Sequence, residues 1–229
     1  MLSSPAMAEE LLKTLIVTGS GVEEIAATVA EVQLGVEIQD RTAAEVQQEI
    51  AIRTTAIVEL LRSRNVEKLQ TTGVRLNPNY DRLDRDNDQN IITGYTGTNI
   101  VSFNLPVEQV GNLLDEAVKA GASRVDSIGF TATPEAIARA KKAALRKASA
   151  DAQDQAEAVL ETLQLTKNEI VKIKIDAANA ARPQPYASEF DAAFSESRAT
   201  TPIIAGEQTV RASVTLQISY TNDSSSNSQ

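Results

Sequence analysis

Apolar residues at every second position, repeated in separate stretches of the chain, most constrain how it folds. From 210 to 220 apolar and polar residues alternate without interruption, and the same pattern occupies 30–38. A strand that buries one face and leaves the other in water produces this period of two. The sequence therefore predicts several half-buried β-strands, of which 210–220 is the clearest.

The order of elements between 30 and 131 predicts an α+β fold. Four stretches have the composition of strands: 30–38, 69–76, 91–105 and 124–131. One helix between them opens at the capping box Thr42-Ala43-Ala44-Glu45, and another has Pro106 in its first turn and ends at Gly121. This βαββαβ order predicts a ferredoxin-like core, in which both helices cover one face of an antiparallel sheet.

A third, longer helix is predicted to follow the core. Thr133-Pro134-Glu135 supplies an N-cap hydroxyl, a proline at the first position and an acid in the first turn. The helix should end near 165, and one stripe along it is mostly alanine: Ile137, Ala140, Ala144, Ala148, Ala152, Ala156, Val159 and Leu163. Because alanine lets another backbone approach closely, we expect this stripe to lie on a sheet or a neighbouring helix.

Two further strands, around 171–175 and at 210–220, complete a domain predicted at 9–220. Residues 11–18 are predicted as a short strand that ends in a turn at Gly19-Ser20-Gly21. The segment 177–205 contains several prolines and scattered acids, and we expect a long exposed loop there.

Both ends of the chain are expected to lie outside the folded domain. Ala6-Met7-Ala8 has the small-x-small form of a signal-peptidase site, so 1–8 is predicted as the tail of a removed export signal or as disordered. The polar stretch 221–229 has no apolar content to bury and is predicted to be disordered.

Composition restricts the function more than any motif does. The 229 residues include no histidine and no cysteine, which are the common proton shuttle, thiolate nucleophile and soft metal ligands. We therefore expect a non-enzymatic protein without a cofactor. A net charge of −9 argues against nucleic acid and anionic membranes as partners, and no apolar stretch is long enough to span a bilayer.

The loop at 81–90 contains the one candidate metal site. Oxygen ligands alternate at Asp84, Asp86, Asp88 and Asn90, as in the first half of a calcium-binding loop. However, Gln89 takes the place of the usual glycine, and Tyr95 that of the bidentate glutamate. A solvated hairpin loop is favoured, and weak calcium binding is the alternative.

Two other patterns favour structural explanations. Gly19-Ser20-Gly21 begins like a dinucleotide-binding fingerprint, but Glu24 occupies the third glycine position and no parallel βαβ unit follows. The acid pairs Glu23-Glu24 and Asp115-Glu116 are adjacent in sequence, so their members do not face one another on one side of a helix or strand.

A basic run on the long helix lies on the side away from the alanine stripe: Lys141, Lys142, Arg146 and Lys147. A solvated face paired with Asp151 and Asp154 is the preferred interpretation. Contact of Arg139 and Arg146 with an acidic partner is the alternative.

Five motifs occur in order along most of the chain, roughly 12–220: Val17-Thr18-Gly19-Ser20-Gly21 before the strand at 29–38, Leu76-Asn-Pro-Asn-Tyr80 with Gly94-Tyr95, Gly121-Ala122 with Ile128-Gly-Phe130, the alanine-rich helix at 136–160, and Ile203-Ile204-Ala205-Gly206-Glu207. In these motifs the chain resembles the SIMPL-domain family of bacterial envelope proteins, which includes a periplasmic immunogenic protein and proteins linked to oxidative-stress defence. It departs from the family at Ala27-Thr28, where a Pro-Asp pair is common.

The resemblance implies export to the periplasm or cell envelope and self-assembly into rings, and it carries over no catalytic residue. We therefore expect an envelope protein that forms a symmetric homo-oligomer and acts as a scaffold or binding assembly in stress defence. The final strand, the 177–205 loop and the long helix are expected to supply the subunit contacts. A small-ligand or Ca²⁺-binding module using the 81–90 loop is the alternative, and a carboxylate-based hydrolase is the least favoured.

Overall fold

The computed structural model of the protein describes residues 13–82, 90–181 and 203–222. The elements in chain order are β1 (Thr14–Ala26), β2 (Val29–Asp40), α1 (Ala43–Ser63), β3 (Glu67–Arg82), β4 (Asn90–Pro106), α2 (Val110–Lys119), β5 (Arg124–Thr131), α3 (Pro134–Thr162), β6 (Leu165–Ala180) and β7 (Glu207–Asn222). These residues build two antiparallel sheets and three α-helices, a mixed α/β architecture in which strands predominate.

The described residues divide into two compact units. The three-stranded unit consists of 13–25, 134–181 and 208–222, and the four-stranded unit of 26–82, 90–133 and 203–207. The N-terminal strand β1 therefore shares a unit with α3 and β7, which are far from it in sequence.

The four-stranded unit contains a sheet with the order β3-β4-β2-β5, in which neighbouring strands run antiparallel. Its central strands β2 and β4 pair from Val29 opposite Pro106 to Asp40 opposite Tyr95. Alternate side chains of β2 are buried, as the period of two predicts. They join side chains of β4, α1 and α2 in one core, whose largest fully buried members include Leu34, Ile57, Leu61, Phe103 and Val110.

The N-cap of the capping box predicted at the start of α1 is confirmed. Thr42 is extended, and its Oγ1 accepts a hydrogen bond from the Glu45 backbone N–H at 3.2 Å. The same hydroxyl donates to the Glu45 carboxylate at 2.7 Å. An N-cap of this kind stabilises a helix by about 1 kcal/mol.

The start of α2 differs from the prediction. Pro106 is the last residue of β4, a 3₁₀ turn follows at Val107–Gln109, and α2 begins only at Val110. A proline suits both places, because its fixed φ (here −59°) and missing N–H are tolerated before either kind of helix. The predicted end is correct: Gly121 follows α2 with a φ of 111°, which disfavours any residue with a Cβ.

In the three-stranded unit the sheet has the order β1-β7-β6, and α3 packs on one face of it. Alternate residues of β7 from Val210 to Ile218 are at most 4% exposed. They pack with Val17 against the alanine stripe, so the expectation that the stripe lies on a sheet is confirmed.

The ends of the alanine stripe differ from the prediction. Val159 and Leu163 are 41% and 60% exposed, and Leu160 is buried in their place. The buried positions recur every four residues from Ala140, so the stripe follows a ridge inclined to the helix axis and reaches 160. The helix ends at Thr162 and not near 165, because Gln164 has a φ of 55° and β6 begins at the next residue.

The turn predicted at Gly19-Ser20-Gly21 is wrong, since β1 runs through all three residues. Both glycines are buried against α3. A Cβ on Gly19 would overlap the Ala148 carbonyl oxygen and lie 2.8 Å from the Cβ of Ala152. One on Gly21 would lie 2.6 Å from the Ala148 nitrogen. Glycine is therefore needed here for close approach of two backbones.

Part of the loop predicted at 177–205 is strand. β6 continues to Ala180, and the N–H of Ala181 donates to the Thr209 carbonyl at 3.0 Å. Thr221 and Asn222 likewise belong to β7 and not to a disordered tail. The rest of this loop, 182–202, and the predicted tails at 1–8 and 223–229 lie outside the described residues.

Candidate functional site

The candidate calcium ligands belong, in sequence, to the segment that joins β3 to β4. Asp84, Asp86 and Asp88 lie outside the described residues, and Asn90 begins β4 opposite Arg82. The hairpin continues past Tyr95, where the pairing of β4 with β2 ends. Over 13–82, 90–181 and 203–222 the structure brings together no three His, Cys, Asp or Glu that could hold a metal. Calcium binding by the loop stays a prediction.

One member of each acid pair forms an ion pair with a basic residue elsewhere in the chain. Glu23 lies 2.7 Å from the Lys147 ammonium, and Glu116 binds Arg64 through two hydrogen bonds of 2.6 and 2.8 Å. The Arg64–Glu116 pair lines a polar groove of about 450 Å³ between the end of α1 and α2. Because the two side chains are 54% and 34% exposed, this groove is a solvated surface in which an ion pair contributes under about 1 kcal/mol.

Charged groups with shifted pKa values are held in their ionised form. The pKa of Asp151 is lowered by the backbone N–H of Ser20, and that of Asp176 by Lys174. The pKa of Arg124 is raised by its hydrogen bond to Asp126. Such shifts stabilise a permanent charge, whereas a general acid or base needs a pKa brought toward neutrality. These contacts are therefore structural: the first joins α3 to β1, and the other two lie within β6 and within β5.

In the basic run on α3, the partners of Lys147 and Asp151 differ from those predicted. Lys147 donates to the Val22 carbonyl at 2.9 Å and pairs with Glu23. Asp151 was expected to pair with the basic run. Its carboxylate instead accepts the Ser20 N–H at 2.7 Å and the Gln155 amide at 3.0 Å.

These contacts cover the outer edge of β1. β7 pairs with β1 on one side only, so the other side presents unpaired backbone groups. Asp151 binds the N–H of Ser20 and Lys147 binds the carbonyl of Val22, so side chains of α3 satisfy two of these groups. Exposed edge strands are commonly protected from pairing with another chain in ways of this kind.

The opposite edge of the same sheet, β6, is open. Ile173 and Ile175 lie opposite the buried Leu216 and Val214, and so on the face that α3 covers elsewhere. Both isoleucines are nonetheless more than 60% exposed. In the described part of the chain β7 is the one strand beside β6, so the backbone groups on the other side of β6 form an open sheet edge. We call Ile170, Ile173 and Ile175 with this open edge the β6 patch.

The subunit contacts expected of the final strand and the long helix stay predictions, and sheet pairing and core packing already occupy part of each element. β7, the expected contact strand, lies between β1 and β6, so both of its edges are paired. The alanine stripe of α3 is also unavailable, because it is buried on its own sheet. The alternation at 171–175 was the signal for β6, but periodicity does not show that Ile173 and Ile175 stay exposed while Ala178 and Ala180 pack on the core.

Comparison of the sequence with models of known protein families identifies a matching family. The SIMPL family model, described as a protein of unknown function (DUF541), matches residues 15–218 and so spans β1 to β7. The chain belongs to the SIMPL family. The match covers both units of this SIMPL protein, and no curated protein matches it. Of the helices in the described part of the SIMPL chain, none has the length and apolar character to cross a membrane.

Proposed function

We propose that this SIMPL protein is a non-enzymatic component of the bacterial cell envelope that assembles into a symmetric homo-oligomer. It acts as a scaffold or binding assembly in oxidative-stress defence. The β6 patch carries the proposal, because an apolar and unprotected edge strand is a surface at which proteins associate.

Assembly is tested by measuring the mass of the purified chain by light scattering and sedimentation velocity over a hundredfold range of concentration. We expect a single species at a whole-number multiple of 24.5 kDa. A monomer of 24.5 kDa at every concentration would overturn the proposal.

The envelope location is supported by family membership together with the signal-peptidase-like Ala6-Met7-Ala8. Osmotic-shock fractionation of the source bacterium, followed by immunodetection, tests it. We expect the protein in the periplasmic fraction with a periplasmic marker enzyme. Its recovery with a cytoplasmic marker would contradict export.

Protection from oxidants, in this proposal, is indirect. The chain has no cysteine, and its two methionines are Met1 and Met7, so it offers few side chains that an oxidant could consume. Purified protein should therefore not accelerate loss of hydrogen peroxide in solution. Measurable consumption per added chain would favour direct scavenging instead.

We also propose that the four-stranded unit belongs to the ferredoxin-like class. Its elements follow the order β2-α1-β3-β4-α2-β5, and its sheet places the first and third of these strands at the centre. An experimental structure superposed on ferredoxin-like domains tests this classification.

A further inference from the structure

The outer edge of β6 differs from that of β1 in charge as well as in protection. Lys172 and Lys174 lie opposite Gln217 and Thr215, on the face away from α3. Lysines on an edge strand ordinarily discourage pairing. Here Asp176 lies 2.5 Å from the Lys174 ammonium and also accepts a hydrogen bond from Thr215 at 2.7 Å. The local charge around Ile175 is therefore balanced.

The sequence of β6 around Ile175 is self-complementary. In an antiparallel pair of identical strands related by a two-fold axis, a residue on the axis faces its own copy. If that residue is Ile175, Lys174 of each copy faces Asp176 of the other, and the isoleucines meet on the opposite face. Centring the pair on Lys174 would place like charges opposite each other, which is unfavourable.

We propose that two copies of this chain pair through β6, antiparallel and centred on Ile175, to form one continuous six-stranded sheet. This inference rests on the proposed assembly and names the strand that builds its two-fold contact. The pairing satisfies the open backbone edge of both copies and covers the isoleucines of the β6 patch.

The edges of β1 and β3 are less suitable for this contact. β1 has backbone groups already bound by Asp151 and Lys147. β3 contains Pro78, which offers no N–H to a ladder. In contrast to β1 and β3, β6 combines exposed isoleucines with an open backbone edge.

Cysteine cross-linking tests the pairing directly, because the native chain contains no cysteine. Ile175→Cys should form a disulfide-linked dimer on mild oxidation, since directly opposed positions lie close enough for a disulfide. The matched control is Ile16→Cys, on the other edge strand of the same sheet, where the native side chain is as exposed (63% against 62%). We expect at least a tenfold higher cross-linked fraction for Ile175→Cys, and equal fractions would overturn the proposal.

A second pair of variants separates this inference from assembly itself. The double variant Ile173→Lys/Ile175→Lys should at least halve the mass of the native oligomer, while Ile16→Lys leaves it unchanged. An oligomer that persists in the double variant refutes the β6 contact but keeps the proposed assembly, whereas a monomeric native chain refutes both. If monomeric Ile175→Cys reacts only slowly with a maleimide, another part of the same chain covers β6 and the proposal is wrong.

Discussion

Gly19 of β1 lies directly against the backbone of Ala148 in α3, and Gly21 repeats the contact one helical turn earlier, at Ala144. The repeat works because two strand residues advance about 6.6 Å and four helix residues about 6.0 Å. The spacing of alternate residues along β1 therefore nearly equals the spacing of every fourth residue along α3. This match explains why glycines spaced by two meet alanines spaced by four.

Substituting Gly21→Ala should destabilise the protein strongly. The added Cβ would overlap the Ala144 carbonyl oxygen and would force strand and helix apart. Overpacking of this kind costs about 1–3 kcal/mol or more, and we expect a lower midpoint of thermal unfolding. The control is Gly73→Ala in β3, where the nearest atom to a new Cβ is 3.7 Å away. Equal stability of the two variants would contradict the close packing of β1 on α3.

Removal of the α1 N-cap by Thr42→Ala should lower the free energy of unfolding by about 1 kcal/mol. The substitution leaves the Glu45 N–H without its acceptor. The same change at Thr55 is the control, since its hydroxyl donates to the Ala51 carbonyl inside the helix at 2.8 Å. Alanine is the better helix former there, so denaturant titration should show little or no loss.

Acid should weaken the attachment of β1 to α3. The pKa of Asp151 lies below its ordinary value of 3.8 because the folded state supplies the Ser20 N–H. A carboxyl with a lowered folded-state pKa stabilises the fold above its unfolded pKa, and the contribution is lost as the pH falls through the folded value. Thermal unfolding followed from pH 7 to pH 2 should therefore depend less on pH below 3.8 in Asp151→Asn than in the native protein. Asp154→Asn, at an exposed position of the same helix, should behave as the native protein does.

Millimolar calcium should leave the thermal unfolding of the native protein unchanged, because the 81–90 loop lacks the glycine and the bidentate glutamate of a calcium loop. The comparison variant replaces Asp84, Asp86 and Asp88 with asparagine. A calcium-induced rise in the unfolding temperature that disappears in this variant would establish the ligand-binding alternative.

Local chemistry made several elements predictable, and long-range packing decided the rest. The capping box at Thr42 and the stop at Gly121 depend on a few neighbouring residues, so sequence alone located them. The Gly19-Ser20-Gly21 stretch looked like a turn because nothing nearby in sequence reveals the helix packed on it. The alternation at 171–175 likewise predicted a strand, but it does not reveal that Ile173 and Ile175 lie exposed in the folded structure.

The contact between β1 and α3 also has a consequence for entropy. Glycine and alanine have no side-chain rotamers, so closing this contact immobilises no rotating groups apart from those at its margins. Folding is opposed there mainly by the backbone, most of all at the two glycines. The same absence of rotamers means that neighbouring side chains cannot reorient to make room for an added methyl group. A larger residue at these positions would therefore require the whole strand to move.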